Sequence, residues 1–227
     1  MLGMFLQKQQ QNKTVIVVHG FTNDKEDMKP YAWMFHELGY NVLMPDNMSH
    51  GDSEGQIIGY GWNDRLNVIK WAEMLVEQNS DSEITLFGVS MGAATVMMAS
   101  GEESLPDQVV NIIEDCGYSS VWDELKYQAK EMYNLPAFPI LYEVSAISKI
   151  RAGFSYGQAS SVNQLKNNTR PVLFIHGSMI LLCQQVWFTR IIKPHKARKN
   201  CISLKVRDMP NPLKLILKHT LKKFQLS

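Results

Sequence analysis

The most constraining feature of this sequence is an apolar strand that leads directly into a Gly-x-Ser-x-Gly turn and then into a helix. Residues Ile84 to Phe87 are followed by Gly88-Val89-Ser90-Met91-Gly92 and by small and apolar residues up to Ser100. A turn this tight leaves no room for a side chain two residues before or after the serine, so glycine is needed there. The pattern therefore predicts a strand–turn–helix unit that lifts the Ser90 hydroxyl clear of a sheet.

Ser90 in this setting is a candidate nucleophile for acyl transfer in two steps. The start of the following helix directs free backbone N–H groups at any oxyanion that forms beside it. Taken alone, the motif leaves an alternative, because short patterns also occur by chance in glycine-rich turns.

Further strands and helices alternate along most of the chain. The β-branched run at residues 14–18 predicts a buried parallel strand. Other strands are predicted at 41–44, 84–87, 108–114 and 171–175, and helices at 28–38 and 61–76. This alternation predicts an α/β fold with a mostly parallel, doubly wound sheet and helices on both faces.

Residues 119–165 interrupt the alternation. Apolar residues from Trp122 to Tyr133 suggest one helix, the segment Pro136-Ala137-Phe138-Pro139 interrupts it, and residues 140–150 suggest another. We interpret this insertion as a small helical cap over the site. An ordinary pair of packing helices is the alternative, because apolar helix faces are usually buried in a core.

Four motifs in this order resemble the α/β-hydrolase fold: His19-Gly20-Phe21, His50-Gly51-Asp52-Ser53-Glu54-Gly55, the Ser90 turn, and the strand that ends at His176-Gly177. Over residues 12–178 the chain is similar to bacterial serine hydrolases of the esterase/peptidase-like group with a short helical cap. The resemblance implies that Ser90 is the nucleophile and that the backbone N–H groups of Phe21 and Met91 form the oxyanion hole.

The implied activity is hydrolysis of an ester, or less readily an amide or thioester, without a cofactor. The apolar residues of the cap suggest a small-molecule substrate with an apolar acyl or alcohol group. His19 is interpreted as holding its loop by hydrogen bonding, because a proton carrier would need a partner within reach. His50 and Ser53 are interpreted as residues that shape the loop in which they lie. No metal is expected on His19, His50 and His176, since the usual ligand spacings are absent.

The resemblance also implies a triad acid just after the strand at 171–175 and a histidine about thirty residues later. Neither is identifiable. No acid follows Gly177 until Asp208, and His195 and His219 lie in Lys-rich surroundings typical of a solvated surface. Asp115, at the end of the fourth strand, is a possible substitute acid that would still need a histidine.

Composition changes at the same point. Residues 1–178 contain 12 Lys/Arg and 21 Asp/Glu, whereas residues 179–227 contain 11 Lys/Arg and one acid, and all 14 glycines precede residue 178. We interpret 1–178 as the α/β-hydrolase domain and 179–227 as an aberrant basic tail, translated in a shifted frame. A genuine basic arm for membrane or nucleic acid is the alternative.

The genetic code supports the shifted frame. The last base of the Met179 codon and the first two of the Ile180 codon spell aspartate. The same shift across Asp208 and Met209, about 29 positions later, permits histidine followed by alanine. The chain as written is then expected to lack the triad acid, the histidine and the last strand and helix of the fold, and to be poorly stable. We also expect a missing N-terminal hairpin, because the family usually has one before the strand at 14–18.

Two classes of function stay open: a serine hydrolase, and a degenerate, catalytically dead hydrolase that at most binds a ligand. The net charge of +1 gives no reason to expect a nucleic-acid partner. The three cysteines show no disulfide spacing, and no apolar run reaches the roughly 18 residues that span a bilayer. The chain as written is expected in the cytoplasm, with membrane contact only if a longer native N-terminus carries an anchor, as in some full-length relatives.

Overall fold

Seven strands form one sheet in the computed structural model, which describes residues 2–7, 12–177 and 202–206. The strands are β1 (Gly3–Leu6), β2 (Lys13–Val18), β3 (Asn41–Pro45), β4 (Glu83–Val89), β5 (Val109–Asp115), β6 (Val172–Gly177) and β7 (Ile202–Val206). Their order across the sheet is β1-β3-β2-β4-β5-β6-β7. Only the β1–β3 pair is antiparallel among the pairs described.

Helices cover both faces of the sheet, as the alternating sequence pattern predicts. They are α1 (Lys29–Glu37), α2 (Asp64–Gln78), α3 (Met91–Ala99), α4 (Val121–Tyr133), α5 (Ile140–Arg151) and α6 (Ser161–Leu165). Successive residues of β2 enter different cores: Ile16 packs in the core that contains α2 and α3, whereas Val17 packs in the core that contains α1. This is the result of side chains alternating between the two faces of a buried strand.

The centre of the sheet positions the Ser90 turn. Strand β4 pairs with β2 on one side and β5 on the other, and its residues Ile84, Leu86 and Phe87 are fully buried. Every residue of α3 is buried as well. A strand and a helix that are both enclosed by the core hold the turn between them in a fixed position.

The far edge of the sheet differs from the expectation. We expected the sheet to end at β6, but β7 pairs with it in parallel from Leu173↔Ile202 to Gly177↔Val206. Residues 202–206 alternate apolar and polar types, which is the period of a strand. The surrounding Lys-rich sequence hides that short alternation. Apart from these five residues, the segment assigned to the shifted frame lies outside the described residues.

The first described strand is an edge strand. β1 pairs with β3 and not with β2, so it does not form a hairpin with the strand that follows it. The backbone N–H of Asp46 donates to the carbonyl of Leu2, which continues this pairing past the end of β3. The N-terminal residues thus extend the sheet by one antiparallel strand.

Helices α4 and α5 form the predicted insertion, and residues 134–139 separate them where the two prolines predict a break. Large apolar side chains of this insertion face solvent, and we call them the cap surface: Met132, Tyr133, Leu135, Phe138, Ile140, Tyr142, Val144, Ile147 and Ile150. Among the helices that the structure describes, none combines the length and apolar character needed to cross a membrane.

Candidate active site

Ser90 lies in a strained turn between β4 and α3. Its backbone has φ 55° and ψ −115°, a region that residues other than glycine rarely adopt. The N–H of Ser90 donates to the carbonyl of Asp115 at 2.8 Å, and its own carbonyl accepts from Ala94 N at 3.1 Å as α3 begins. These bonds fix the serine at the carboxyl end of the central strands.

Two glycines allow this turn to pack. A Cβ atom on Gly88 would lie 2.2 Å from the carbonyl oxygen of Gly92, and a Cβ atom on Gly92 would lie 2.1 Å from the carbonyl oxygen of Val18. Both distances are far below van der Waals contact. The sequence-based requirement for glycine on both sides of the serine therefore has a direct steric cause.

His19 joins the loops that follow β2 and β3. Its Nδ1–H donates to the carbonyl of Gly20 at 2.8 Å, and its Nε2 accepts from the backbone N–H of Asn47 at 2.9 Å. Burial lowers the pKa of His19, so the ring is neutral in this arrangement. The contacts agree with the interpretation of His19 as a residue that holds its loop.

The neighbouring loop is organised around two buried carboxylates. Asp46 accepts from Lys25 and from the backbone N–H of Asp52, while the Ser53 hydroxyl donates to the Asp46 carbonyl. Asp64 accepts from the backbone of Met48 and Gly61, and the His50 Nδ1–H donates to the Met48 carbonyl. His50 and Ser53 thus have loop-shaping contacts of the kind that the sequence analysis predicts.

Phe21 and Met91 lie on either side of Ser90 at the same pocket. Met91 is the first residue of α3, so its backbone N–H has no acceptor within the helix. Phe21 follows the Gly20 turn, and its ring stacks on Tyr60 with centroids 5.8 Å apart. The two residues predicted to supply an oxyanion hole therefore line one pocket together with the serine.

That space is a pocket of about 420 Å³, which we call the serine pocket. It brings together all four residues that the sequence analysis names as site residues: Ser90, Phe21, Met91 and Asp115. Its described lining consists of Phe21, Thr22, Tyr31, Tyr60, Val89, Ser90, Met91, Asp115, Cys116, Tyr118, Glu124, Leu125 and Gln128. Three of these residues come from α4, so that helix forms part of the wall of the serine pocket.

Asp115 stands at the end of β5, opposite Val89 in the sheet register. Burial raises the pKa of its carboxyl to about 6, against the effect of a hydrogen bond with Cys116. None of the described side chains that line the serine pocket is a histidine. The side chain of His176 and all of His195 and His219 lie outside the described part of the chain.

Glu124 and Gln128 are pocket residues that the sequence analysis missed. Burial raises the pKa of Glu124 to about 7, and the Gln128 amide donates to its Oε1 at 2.5 Å, which opposes that rise. In the sequence these residues read as the polar face of a surface helix. Glu124 and Gln128 are four residues apart, and apolar Leu125 follows Glu124 directly. That spacing was the one signal in the sequence that the two residues share a face of the helix. Within the described ranges, no three His, Cys, Asp or Glu side chains converge as metal ligands would.

A family model described as "alpha/beta hydrolase fold" matches residues 13–135. The chain is 31% identical over 164 residues to the uncharacterized protein YqkD of Bacillus subtilis, which covers 72% of this chain and 53% of that protein. It is 31% identical over 98 residues to the putative esterase YitV of the same organism, covering 37% and 38% respectively. The chain thus spans about half or less of the length of these relatives.

Solved structures share the fold. The esterase Pf2001 of Pyrococcus furiosus superposes with a TM-score of 0.76 at 22% identity, covering 98% of this chain and 85% of that one. A lipase-esterase related protein from Clostridium acetobutylicum has a TM-score of 0.64 at 20% identity, covering 99% and 97%. At these identities the likeness is one of architecture.

Proposed function

Because this chain belongs to the α/β-hydrolase family, we propose that it is a serine hydrolase that cleaves esters through an acyl-enzyme on Ser90. The observation that carries the proposal is the serine pocket, which Ser90, Phe21 and Met91 line together. The names of two similar proteins, the putative esterase YitV and the esterase Pf2001, point to esters as the substrate class.

In the proposed reaction the Ser90 Oγ attacks the ester carbonyl carbon and loses its proton to a base. The backbone N–H groups of Phe21 and Met91 donate to the oxyanion, and loss of one such donor costs about 3 kcal/mol of transition-state stabilisation. The tetrahedral intermediate then expels the alcohol, which takes up the proton. Water, deprotonated in the same way, attacks the acyl-enzyme and releases the acid and free Ser90.

The base is the open part of this proposal. Asp115 is our candidate for the acid that orients it, because Asp115 lines the same pocket and its backbone carbonyl accepts a hydrogen bond from the Ser90 N–H. A histidine is absent from the described lining. In the frame that we propose for residues after 178, an aspartate and a histidine are encoded at about the spacing that the family uses. The chain as written would keep only the residual activity of the oxyanion hole and of binding.

Labelling with a fluorophosphonate tests the nucleophile. In the protein whose reading frame after residue 178 is restored, we expect one adduct on Ser90, no adduct in Ser90→Ala, and an unchanged adduct in the matched control Ser80→Ala, whose exposed serine lies outside the serine pocket. An adduct that persists in Ser90→Ala would place the reactive group elsewhere and overturn the assignment.

Sequencing the gene across the codons for Gly177 to Ile180 tests the frame. If a base proves to be inserted or deleted there, the other frame is restored. The frame-restored protein should then turn over short esters roughly 10⁴-fold faster than the chain as written, which is the scale of losing a triad member. If the sequence stands and Ser90 is not labelled, the alternative holds: the chain is a degenerate hydrolase that acts at most as a binding protein.

A further inference from the structure

A buried carboxyl group precedes the two residues that β5 and the turn after it contribute to the serine pocket. Glu114 is 1% exposed and lies inside the sheet, with β4 on one side and β6 on the other. Asp115 and Cys116, which follow it, line the serine pocket, whereas Glu114 is not part of the described lining. Burial of a carboxyl group costs free energy unless its oxygens are hydrogen-bonded. Glu114 therefore points to a contact that an apolar residue could not make.

That contact closes a turn at the end of β5. The Glu114 Oε2 accepts from the backbone N–H of Gly117 at 2.8 Å, across Asp115 and Cys116. Cys116 has φ 59°, in the left-handed region that residues other than glycine rarely adopt. Burial raises the pKa of Glu114 well above its usual range, and the Gly117 N–H opposes that rise. The buried position thus favours the neutral carboxyl, whose shape a glutamine reproduces.

The closed turn packs against α3. A Cβ atom on Gly117 would lie 2.5 Å from the terminal methyl of Met97, 2.9 Å from the Glu114 Oε2 and 3.0 Å from the Cβ of Ala93. The Glu114 carboxyl therefore meets the backbone of Gly117 where the end of β5 contacts α3, the helix that follows Ser90.

The same turn carries the group that holds Ser90. The carbonyl of Asp115 accepts from the Ser90 N–H at 2.8 Å, and the N–H of Cys116 donates to the carbonyl of Ile175 at 3.0 Å. The hydrogen bond from Gly117 spans both of these residues. Without it, Asp115 and Cys116 are free to move, and the bond that fixes the strained backbone of Ser90 moves with them.

We propose that Glu114 is a positioning residue of this site: its carboxyl closes the turn over Asp115 and Cys116 and so fixes the carbonyl to which Ser90 is bonded. The consequence for catalysis rests on the proposed function, whereas the consequence for the Ser90 backbone does not. Glu114 acts through the turn and does not touch the reacting atoms. The turn requires an oxygen acceptor at this position and does not require a negative charge.

Amide hydrogen exchange, measured by NMR on the full-length chain, tests the positioning without requiring turnover. Glu114→Met replaces the carboxyl by an apolar group of similar length that cannot accept from Gly117. After correction for intrinsic rates, the Ser90 N–H of this variant should exchange about tenfold faster than the Leu86 N–H, the scale of leaving a buried donor unpaired. In the wild type the two should be protected alike. Leu86 is fully buried within β4, so a general loss of stability would speed both amides equally.

Glu114→Gln is the conservative variant, because its amide oxygen can accept the same hydrogen bond. Its Ser90 and Leu86 amides should again be protected alike. Glu83→Met is the matched control, since Glu83 is an exposed glutamate at the start of β4. If Glu114→Met does not fold, Glu114→Asp gives the same comparison, because a carboxyl that is one methylene shorter cannot reach the Gly117 N–H.

In the frame-restored protein, kcat for a short ester should fall about tenfold in Glu114→Met with KM unchanged, and Glu114→Gln should keep the parent value. Equal protection of Ser90 and Leu86 in Glu114→Met, or a Glu114→Gln variant that behaves like Glu114→Met, would overturn the inference. Failure of the proposed function gives a different result: the exchange difference appears, but fluorophosphonate does not label Ser90 in the frame-restored protein.

Discussion

At the scale of single residues, the geometry around Ser90 depends on the absence of a Cβ atom at Gly88 and at Gly92. The helix α3 approaches β2 so closely at Gly92 that even one methyl group has no space. Close packing at Gly88 and Gly92, together with the hydrogen bond from the Ser90 N–H to the Asp115 carbonyl, therefore holds the strained backbone of Ser90. Strain of this kind persists only where the surroundings enforce it.

Gly92→Ala should separate α3 from β2, because its Cβ would meet the carbonyl oxygens of Val18 at 2.1 Å and His19 at 2.7 Å. We expect a loss of about 2 kcal/mol or more in the free energy of unfolding, measured in urea. Gly157→Ala is the control, since nothing lies within 4 Å of a Cβ there. Equal stability of both variants would contradict the steric account.

Glu124 should make stability depend on pH. Burial raises its pKa from 4.5 to about 7, so between these values the folded state keeps a proton that the unfolded state has released. Stability must then fall as pH rises from about 5 to about 8. Glu124→Gln cannot lose a proton and removes this fall, so the variant should gain about 2 kcal/mol over wild type across that range.

Urea unfolding of both proteins at several pH values measures this difference, and other titrating groups cancel because both proteins contain them. Glu131→Gln serves as control, as its carboxyl lies on the exposed face of the same helix. A difference between wild type and Glu124→Gln that stays constant with pH would show that Glu124 titrates normally.

At the scale of elements, one side chain joins β6 to the segment that leads into β5. The Arg170 guanidinium donates to three backbone carbonyls, those of Leu105 and Pro106 at 3.0 Å each and that of Val109 at 2.7 Å. Its ion pair with exposed Asp107, at 3.7 Å, contributes little by comparison. The carbonyl bonds thus set where β6 begins beside β5.

Arg170→Ala should leave these carbonyls without a donor and cost about 2–3 kcal/mol of unfolding free energy. Arg170→Lys should recover only part of the loss, because an ammonium cannot reach three separated acceptors as a planar fork does. Lys166→Ala is the control, since the Lys166 ammonium bonds Asn163 within the same exposed turn. A cost below 0.5 kcal/mol for Arg170→Ala, read from thermal or urea unfolding, would refute this role.

The elements that could be predicted from sequence are those with a long, regular signal. The β-branched run at 14–18 and the prolines at 136 and 139 placed β2 and the α4–α5 break correctly. β1 and β7 were missed for different reasons: β1 has only four residues, and the alternation of β7 lies within the segment that we interpret as translated in a shifted frame. The pairing of both strands is set by the rest of the sheet. Short strands at a sheet edge depend on their neighbours for stability.

The site divides in the same way. Ser90 and Met91 follow from a local motif whose spacing has a steric cause. Phe21 lies 69 residues earlier, and only the resemblance to the family brought it to the same site. Glu124 could not be found in this manner, because a glutamate on an amphipathic helix is exposed in most proteins. Glu124 is partly buried here because it forms part of the wall of the serine pocket.

For the molecule as a whole, the cap surface is the main departure from an ordinary polar exterior. Nine large apolar side chains of one insertion face solvent. Phe138, Ile147 and Ile150 are 73%, 53% and 86% exposed, and none of them lines the serine pocket. Their contribution to packing within the fold is correspondingly small.

Replacing Phe138, Ile147 and Ile150 by serine should therefore leave the melting temperature within about 2 °C of wild type while raising solubility. Light scattering during concentration gives the second readout. Leu141→Ser is the contrasting variant on the same helix, because Leu141 is buried, and it should lower the melting temperature by several degrees. A large loss of stability in the triple variant would show that these side chains are packed in solution.

The central position of β4 also determines which parts of the molecule can open independently. Amide protons of β4 and α3, enclosed on both sides, should exchange with solvent only on global unfolding, whereas those of α4 and α5 should exchange through local opening at lower free energy. The serine and the helix above it would then belong to different cooperative units. The surface formed by α4 and α5 would then open locally or change by mutation while the turn at Ser90 keeps its shape.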